Sequence, residues 1–211
     1  MADVRLPGGV RSRAVLMGTS LAADPDLAEL PEVRGDLADL ATALTDGGLR
    51  CSVPADRTAR ALGEELEKAA SQAEELLFVH YAGHGLLDAR GRLFLAVPDT
   101  RLALVRWTAL PFRDVRDVLL DAPAHRRLLV LDCRFNERAV AALDDPRSAL
   151  AEQLAIRGVP TLVTTGAPPP VSLTRHLVDV LRADRREDRL DALLRALLRC
   201  ADSPDAWTVR N

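Results

Sequence analysis

Short apolar runs rich in branched side chains alternate along this chain with longer segments of helical period. Arg13 to Gly18 (RAVLMG) reads as a strand. In the segment PEVRGDLADLATALTD, Val33, Leu37, Leu40 and Leu44 recur at i, i+4, i+7 and i+11, which predicts a one-sided helix closed by Gly47 and Gly48. A short strand, CSVP, follows. A second helix is predicted from about Arg57 to Glu74, with Leu62, Leu66 and Ala69 on one face. Leu76 to Gly85 (LLFVHYAGHG) is apolar on both faces, as a central parallel strand is when helices cover it. GLLDARGRLFLAVPD reads as a hairpin and Pro111 to Leu120 as a helix. Arg126 to Cys133 (RRLLVLDC) is another doubly apolar strand, expected to stop at Asp132 and Cys133. A helix over Ala149 to Ile156, a strand in GVPTLVTTG and two amphipathic helices, VSLTRHLVDVLR and EDRLDALLRALLRC, complete the pattern.

This alternation predicts an α/β fold, a three-layer α-β-α arrangement around a mostly parallel sheet. We expect one domain over residues 1–211. Its core would span about 13–165, with the helices in 171–200 packing upon it. A composition of 48% hydrophobic and 28% charged residues suits a folded chain. At 211 residues, folding buries roughly 70% of the unfolded surface without a disulfide or metal staple. Twenty-eight basic against 31 acidic residues leave a net charge of -3. That balance argues against nucleic acid and against a polybasic membrane patch. No apolar run reaches the roughly 18 residues of a spanning helix. The first residues lack the apolar core of a secretory signal, so a cytoplasmic location is expected. The cysteines, Cys51, Cys133 and Cys200, are widely spaced and form no zinc-binding pattern. No metal or cofactor is expected.

In sheets of this kind, sites sit beyond the carboxyl ends of the strands. Two ends therefore attract attention: Ala82 to Gly85 and Asp132 to Glu137. His84 lies between two glycines just past a buried strand. Histidine suits proton transfer near neutral pH, and a flanking glycine lets a backbone N–H approach an oxyanion. It could equally be a turn histidine with a structural hydrogen bond. Cys133 ends the neighbouring strand and would make a nucleophile–base pair with His84, or be a small buried hydrophobe. Cys51 and Cys200 read as apolar positions, His80 as core, and His125 and His176 as surface. Asp24, Asp26, Asp88 and Asp99 could line a pocket for a basic side chain or be solvated loop charges. The Pro168–Pro170 run reads as a stiff loop, possible flank of a cleft.

RAVLMG, GDLADLATAL, LLFVHYAGHGLLD and RRLLVLDC, in this order, resemble the bacterial caspase-like, metacaspase-related cysteine peptidase domains, whose strands end in YAGHG and DCCxSG. The resemblance runs from about Arg13 to Thr165. It implies the caspase-like fold, His84 as catalytic histidine, Gly85 as an oxyanion-hole N–H, Asp132 as the acid opening the nucleophile motif, and Asp36 as a structural helix acid. The nucleophile motif departs from the pattern. LDCRFNERA stands where LDCCFSGRA is expected, so Arg134 occupies the nucleophile position, with Asn136 for Ser and Glu137 for Gly. Arginine cannot act as a thiol nucleophile. Successive strand side chains face opposite ways, so an Arg134 facing His84 would turn Cys133 away. In a competing register, Cys133–Arg134 matches the QACRG of animal caspases and Cys133 is the nucleophile, its thiol activated by the adjacent cation.

Two functions follow from the resemblance. One is a catalytically impaired pseudo-peptidase with a binding or regulatory role in bacterial signalling or defence. The other is an active cysteine endopeptidase using a Cys133/His84 dyad, with Gly85 and Cys133 N–H groups holding the oxyanion. Either way the expected partner is a protein or peptide, with no nucleic acid and no membrane. A nucleotide-binding α/β domain is disfavoured, because neither GxGxxG nor GxxxxGK[ST] occurs.

Overall fold

The computed structural model describes residues 11–54, 58–135, 148–164, 172–183 and 206–209. Five parallel strands form the sheet's backbone: β1 (Ser12–Gly18), β2 (Arg50–Ser52), β3 (Leu76–Leu87), β6 (Arg126–Phe135) and β7 (Thr161–Thr164). The order is β2-β1-β3-β6-β7-β8, and β8 (Ala206–Val209) closes it antiparallel to β7. The end of β3 turns back on β4 (Leu93–Leu95), which pairs with the two-residue β5 (Leu110–Pro111). This is the hairpin legible in GLLDARGRLFLAVPD. Strand β8 carried no sequence expectation.

Helices cover both faces. On one lie α1 (Glu32–Asp46) and α6 (Leu173–Ala183), whose Val33, Leu37, Leu40, Leu44, Leu173, Leu177 and Val178 pack against Leu16, Phe78 and Val130. On the other lie α2 (Ala59–Gln72), α4 (Phe112–Asp121) and α5 (Ala149–Leu154), with Leu62, Leu66, Phe112, Leu119 and Leu154 against Val15, Val79, Leu131 and Val163. The helices begin close to where the sequence placed them. Thr58 caps α2 by accepting from the Ala61 N–H at 3.3 Å, and Ser148 caps α5 by accepting from Ala151 N–H at 3.1 Å. A 3-10 turn (Leu102–Leu104) and a one-turn α3 (Val105–Thr108) lie in a stretch read from the sequence as loop. EDRLDALLRALLRC and the Pro168–Pro170 run lie outside the described residues.

One boundary moved in a way that matters. Strand β6 was expected to stop at Asp132–Cys133, yet it continues to Phe135. Hydrogen-bonded pairing with β3 continues through His84↔Arg134 to Gly85↔Phe135, so the two-residue alternation extends through the site.

Leu40 is fully buried where α1 meets the sheet and α6. Leu40→Ala should lower unfolding free energy by about 2–5 kcal/mol, with an unchanged denaturant slope, measured by urea denaturation.

Candidate active site

Parallel pairing sorts the site residues by face. His80, Ala82 and His84 on β3 share a face with their partners Val130, Asp132 and Arg134 on β6. That is the face α1 and α6 cover. Tyr81, Gly83 and Gly85 share the opposite face with Leu131, Cys133 and Phe135. The structure thus brings His84 and Arg134 together and puts Cys133 on the other side of the sheet.

Cys133 is 1% exposed and belongs to the core cluster that includes Tyr81, Leu131 and Phe135. Burial, reinforced by the neighbouring Asp132 carboxylate, pushes its thiol well above the ordinary range. Its N–H donates to Thr164 Oγ1 at 3.1 Å.

His84 is half-buried, with Nε2 2.8 Å from the Ala28 carbonyl oxygen. A carbonyl only accepts, so Nε2 carries a proton and Nδ1 is the basic nitrogen of the neutral ring. The loop bearing Ala28 is pinned by Ala23 N–H to Pro98 O at 2.7 Å, Leu30 N–H to Ser20 O at 2.7 Å and Leu102 N–H to Asp24 Oδ2 at 2.7 Å. Arg134 reaches Glu32, at the start of α1, with Nη2 2.8 Å from Oε1. Both side chains are about two-fifths exposed, at 41% and 42%. Such a pair contributes little to stability, but it gives the guanidinium a resting position.

The glycines have packing reasons as well. A Cβ on Gly83 would lie 2.5 Å from the Tyr81 hydroxyl oxygen. That hydroxyl donates its proton between Ala96 O at 2.8 Å and His84 O at 3.2 Å, bracing the backbone at His84 from below. The Phe135 ring fills the space where a Gly85 side chain would be.

Asp132 is a strut. One oxygen accepts from Thr164 Oγ1 at 3.2 Å, and the other from Thr174 N–H at 2.8 Å and Thr174 Oγ1 at 2.6 Å. It thereby joins β6 to β7 and to the first turn of α6. Thr174 gives its one proton to Asp132, so it accepts from Nε2 of His80 at 3.1 Å. His80 is fully buried, and its Nδ1 has no hydrogen-bond partner among the described residues. Burial pulls its pKa from 6.5 to about 4, against the opposing attraction of Asp132.

The remaining candidates fall into local roles. Asp36 accepts from Ser172 Oγ at 2.6 Å and lies 3.9 Å from Arg175, tying α1 to α6. Asp24 accepts from Asp26 N–H and Leu102 N–H, and Asp88 from Arg90 and Arg92 N–H, so these two organise turns. Asp26 and Asp99 are exposed, as are His125 and His176. Cys51 is half-buried on β2, and Cys200, Asn136 and Glu137 lie outside the described residues. Among the described residues no three His, Cys, Asp or Glu side chains converge as metal ligands, and no helix is long and apolar enough to cross a membrane.

Sequence reasoning missed Ala28 O, Glu32, Thr164 and Thr174. A backbone carbonyl has no sequence signature, and the other three lie far along the chain from the residues they serve. The Tyr81–Gly83 contact was available, because residues two apart on a strand share a face.

Family comparison matches residues 5–208 to the CHAT domain. The chain belongs to the CHAT domain family. Among solved structures, this CHAT domain is similar to one described as "structure of pro-sf-caspase-1", at 15% identity and a TM-score of 0.60, over 93% of this chain and 82% of that one. At that identity the likeness establishes the caspase-like fold, in agreement with the sheet and helices above. No curated protein sequence matches the chain.

With Cys51 and Cys200 replaced by serine, Cys133 of the native CHAT domain should resist iodoacetamide and react once urea unfolds it; mass spectrometry reads the adduct. The His80 shift makes a second prediction. The unfolded imidazole binds a proton below 6.5 and the native one only below about 4. Stability from neutral His80 is therefore complete above 6.5 and lost as pH falls towards 4, by roughly 3 kcal/mol in all. Urea unfolding of the parent and His80→Gln across this window should show the parent's extra pH slope.

Proposed function

We propose that this chain acts as a single caspase-like domain that has lost peptidase chemistry and serves as a binding or regulatory module, a pseudo-peptidase. Its setting would be cytoplasmic, in bacterial signalling or defence, with a protein or peptide as partner. The observation that carries the reading is the pairing of His84 with Arg134 on one face while Cys133 lies buried on the other.

Peptide hydrolysis of this class needs a thiolate within reach of the histidine. Arg134, fixed as a cation, stands in the register position facing His84. Cys133 would have to leave the core cluster it shares with Tyr81, Leu131 and Phe135 and rotate across the strand to meet His84. The imidazole itself keeps a defined tautomer through Ala28, so a cleft at these strand ends would have a polar frame for a peptide. His84, Arg134, Asp132 and Gly85 would line that cleft. The resemblance puts Gly85 at the oxyanion hole of active relatives; in this chain it is paired with Phe135 and Leu95 in the sheet.

The test is cleavage of a fluorogenic peptide library containing acidic and basic residues before the scissile bond, with and without calcium. The parent should be silent, and Arg134→Cys should gain measurable hydrolysis that His84→Ala removes. Parent cleavage that vanishes in both Cys133→Ala and His84→Ala would overturn the proposal and establish the Cys133/His84 endopeptidase.

A further inference from the structure

A groove of about 230 Å³ lies at the β4–β5 hairpin, bounded by Arg92, Phe94, Arg106, Trp107, Arg113 and Gln153. Its floor is the hairpin, its walls are α3 and the first turn of α4, and α5 contributes Gln153. Three features of its chemistry agree.

First, Trp107 is 82% exposed, and Leu104 on the same short segment is 50% exposed. Large side chains left this open are costly to hydrate, and a tryptophan beside arginines is the residue mixture that dominates binding hot spots. Second, the lining holds three arginines and no carboxylate. Arg106 has no ion-pair partner among the described residues. Arg113 holds only its exposed neighbour Asp114, at 3.1 Å, a pair that water screens. Arg92 is fixed by Asp88, and its guanidinium carbon stands 6.0 Å from the Phe94 ring centroid. Third, Pro111 gives the start of α4 no side-chain cap, so that ten-residue helix opens at the groove's rim with Asp114, the partner of Arg113, as the acid of its first turn.

We infer that this groove is a docking site for an acidic peptide segment of a partner protein, one that places an apolar side chain against Trp107 and its carboxylates on Arg106 and Arg113. Charge complementarity selects the acid, and the aromatic wall selects the apolar anchor. A nucleic acid fits less well, because Arg106 and Arg113 are two cations in one short groove and offer no line of phosphate contacts. Arg92 shapes the wall and is already neutralised by Asp88, so it is the weaker contact. The site is separate from the His84 cleft, and its occupancy does not depend on whether that cleft cuts peptides.

Trp107 itself reports binding once Trp207 is replaced by phenylalanine. The probe is a set of synthetic peptides in which Leu, Phe or Ile is flanked by two Asp or Glu on each side, titrated into the full chain. We expect quenching or a blue shift of Trp107 emission with saturable binding. Affinity should fall at least about tenfold in Arg106→Gln combined with Arg113→Gln, and in Trp107→Ala read by calorimetry. It should also fall when the acids are replaced by Asn and Gln, and when salt is raised from about 0.05 to about 0.5 M. These side chains are exposed, and unchanged thermal unfolding confirms that the variants fold. Absence of saturable binding by every acidic peptide overturns the inference. Equal binding of the neutral peptides, equal binding by the variants, or tighter binding of a hexauridylate RNA overturns it too. Because binding is read and not cleavage, these outcomes are independent of the peptidase assay.

Discussion

The pairing of β3 with β6 is the constraint on which the site depends. Parallel hydrogen bonding runs without a break from Leu76↔Arg126 to Gly85↔Phe135. A strand has a side-chain period of two, so a single register decides the face of every residue in both segments. It places His84 and Arg134 side by side and commits Cys133 to the core. A slip of one residue would exchange Cys133 and Arg134, but it would also turn Val130 and Leu131 to the wrong clusters and put the Asp132 carboxylate into the apolar layer. The cost of that misplacement holds the register.

Two side chains keep the strand ends in order beyond the sheet's own hydrogen bonds. Tyr81 rises under Gly83 and braces the His84 carbonyl from the core side. Asp132 holds Thr164 of β7 and the opening turn of α6 from the other face. The Asp132 cluster is polar, largely buried and, among the described residues, hydrogen-bonded except at Nδ1 of His80. Such networks fix geometry strongly when satisfied. Asp132 is thereby a fastener between the sheet and α6.

The strand ends that carry His84 and Arg134 and the arginine-lined groove are built by different means. His84 and Arg134 stand on long central strands whose positions are over-determined. The groove is assembled from a two-residue strand, a one-turn helix and the start of α4, held by Thr108 and Thr100 side-chain hydrogen bonds to nearby backbone. Short elements of this kind are where a common fold acquires surface individuality.

Much of this was legible in the chain. Val33, Leu37, Leu40 and Leu44 announce α1 because a helix repeats every 3.6 residues, and LLFVHYAGHG and RRLLVLDC announce buried parallel strands because both their faces are apolar. YAGHG pointed to His84 and to the family, and the motif arithmetic pointed to Arg134 as the residue opposite it. Left open were two registers for LDCRFN, since both match a known pattern and alternation has meaning only once the strand's length is known. The extension of β6 to Phe135 supplied that length. Also invisible were β8, the Ala28 carbonyl and the Thr174–Asp132–His80 contacts, for a common reason. Local composition determines which elements form, because periodicity and propensity act between near neighbours. Which distant side chains share a face, and which of them is dry, is decided only when those elements pack, because burial and pairing are properties of the assembled sheet.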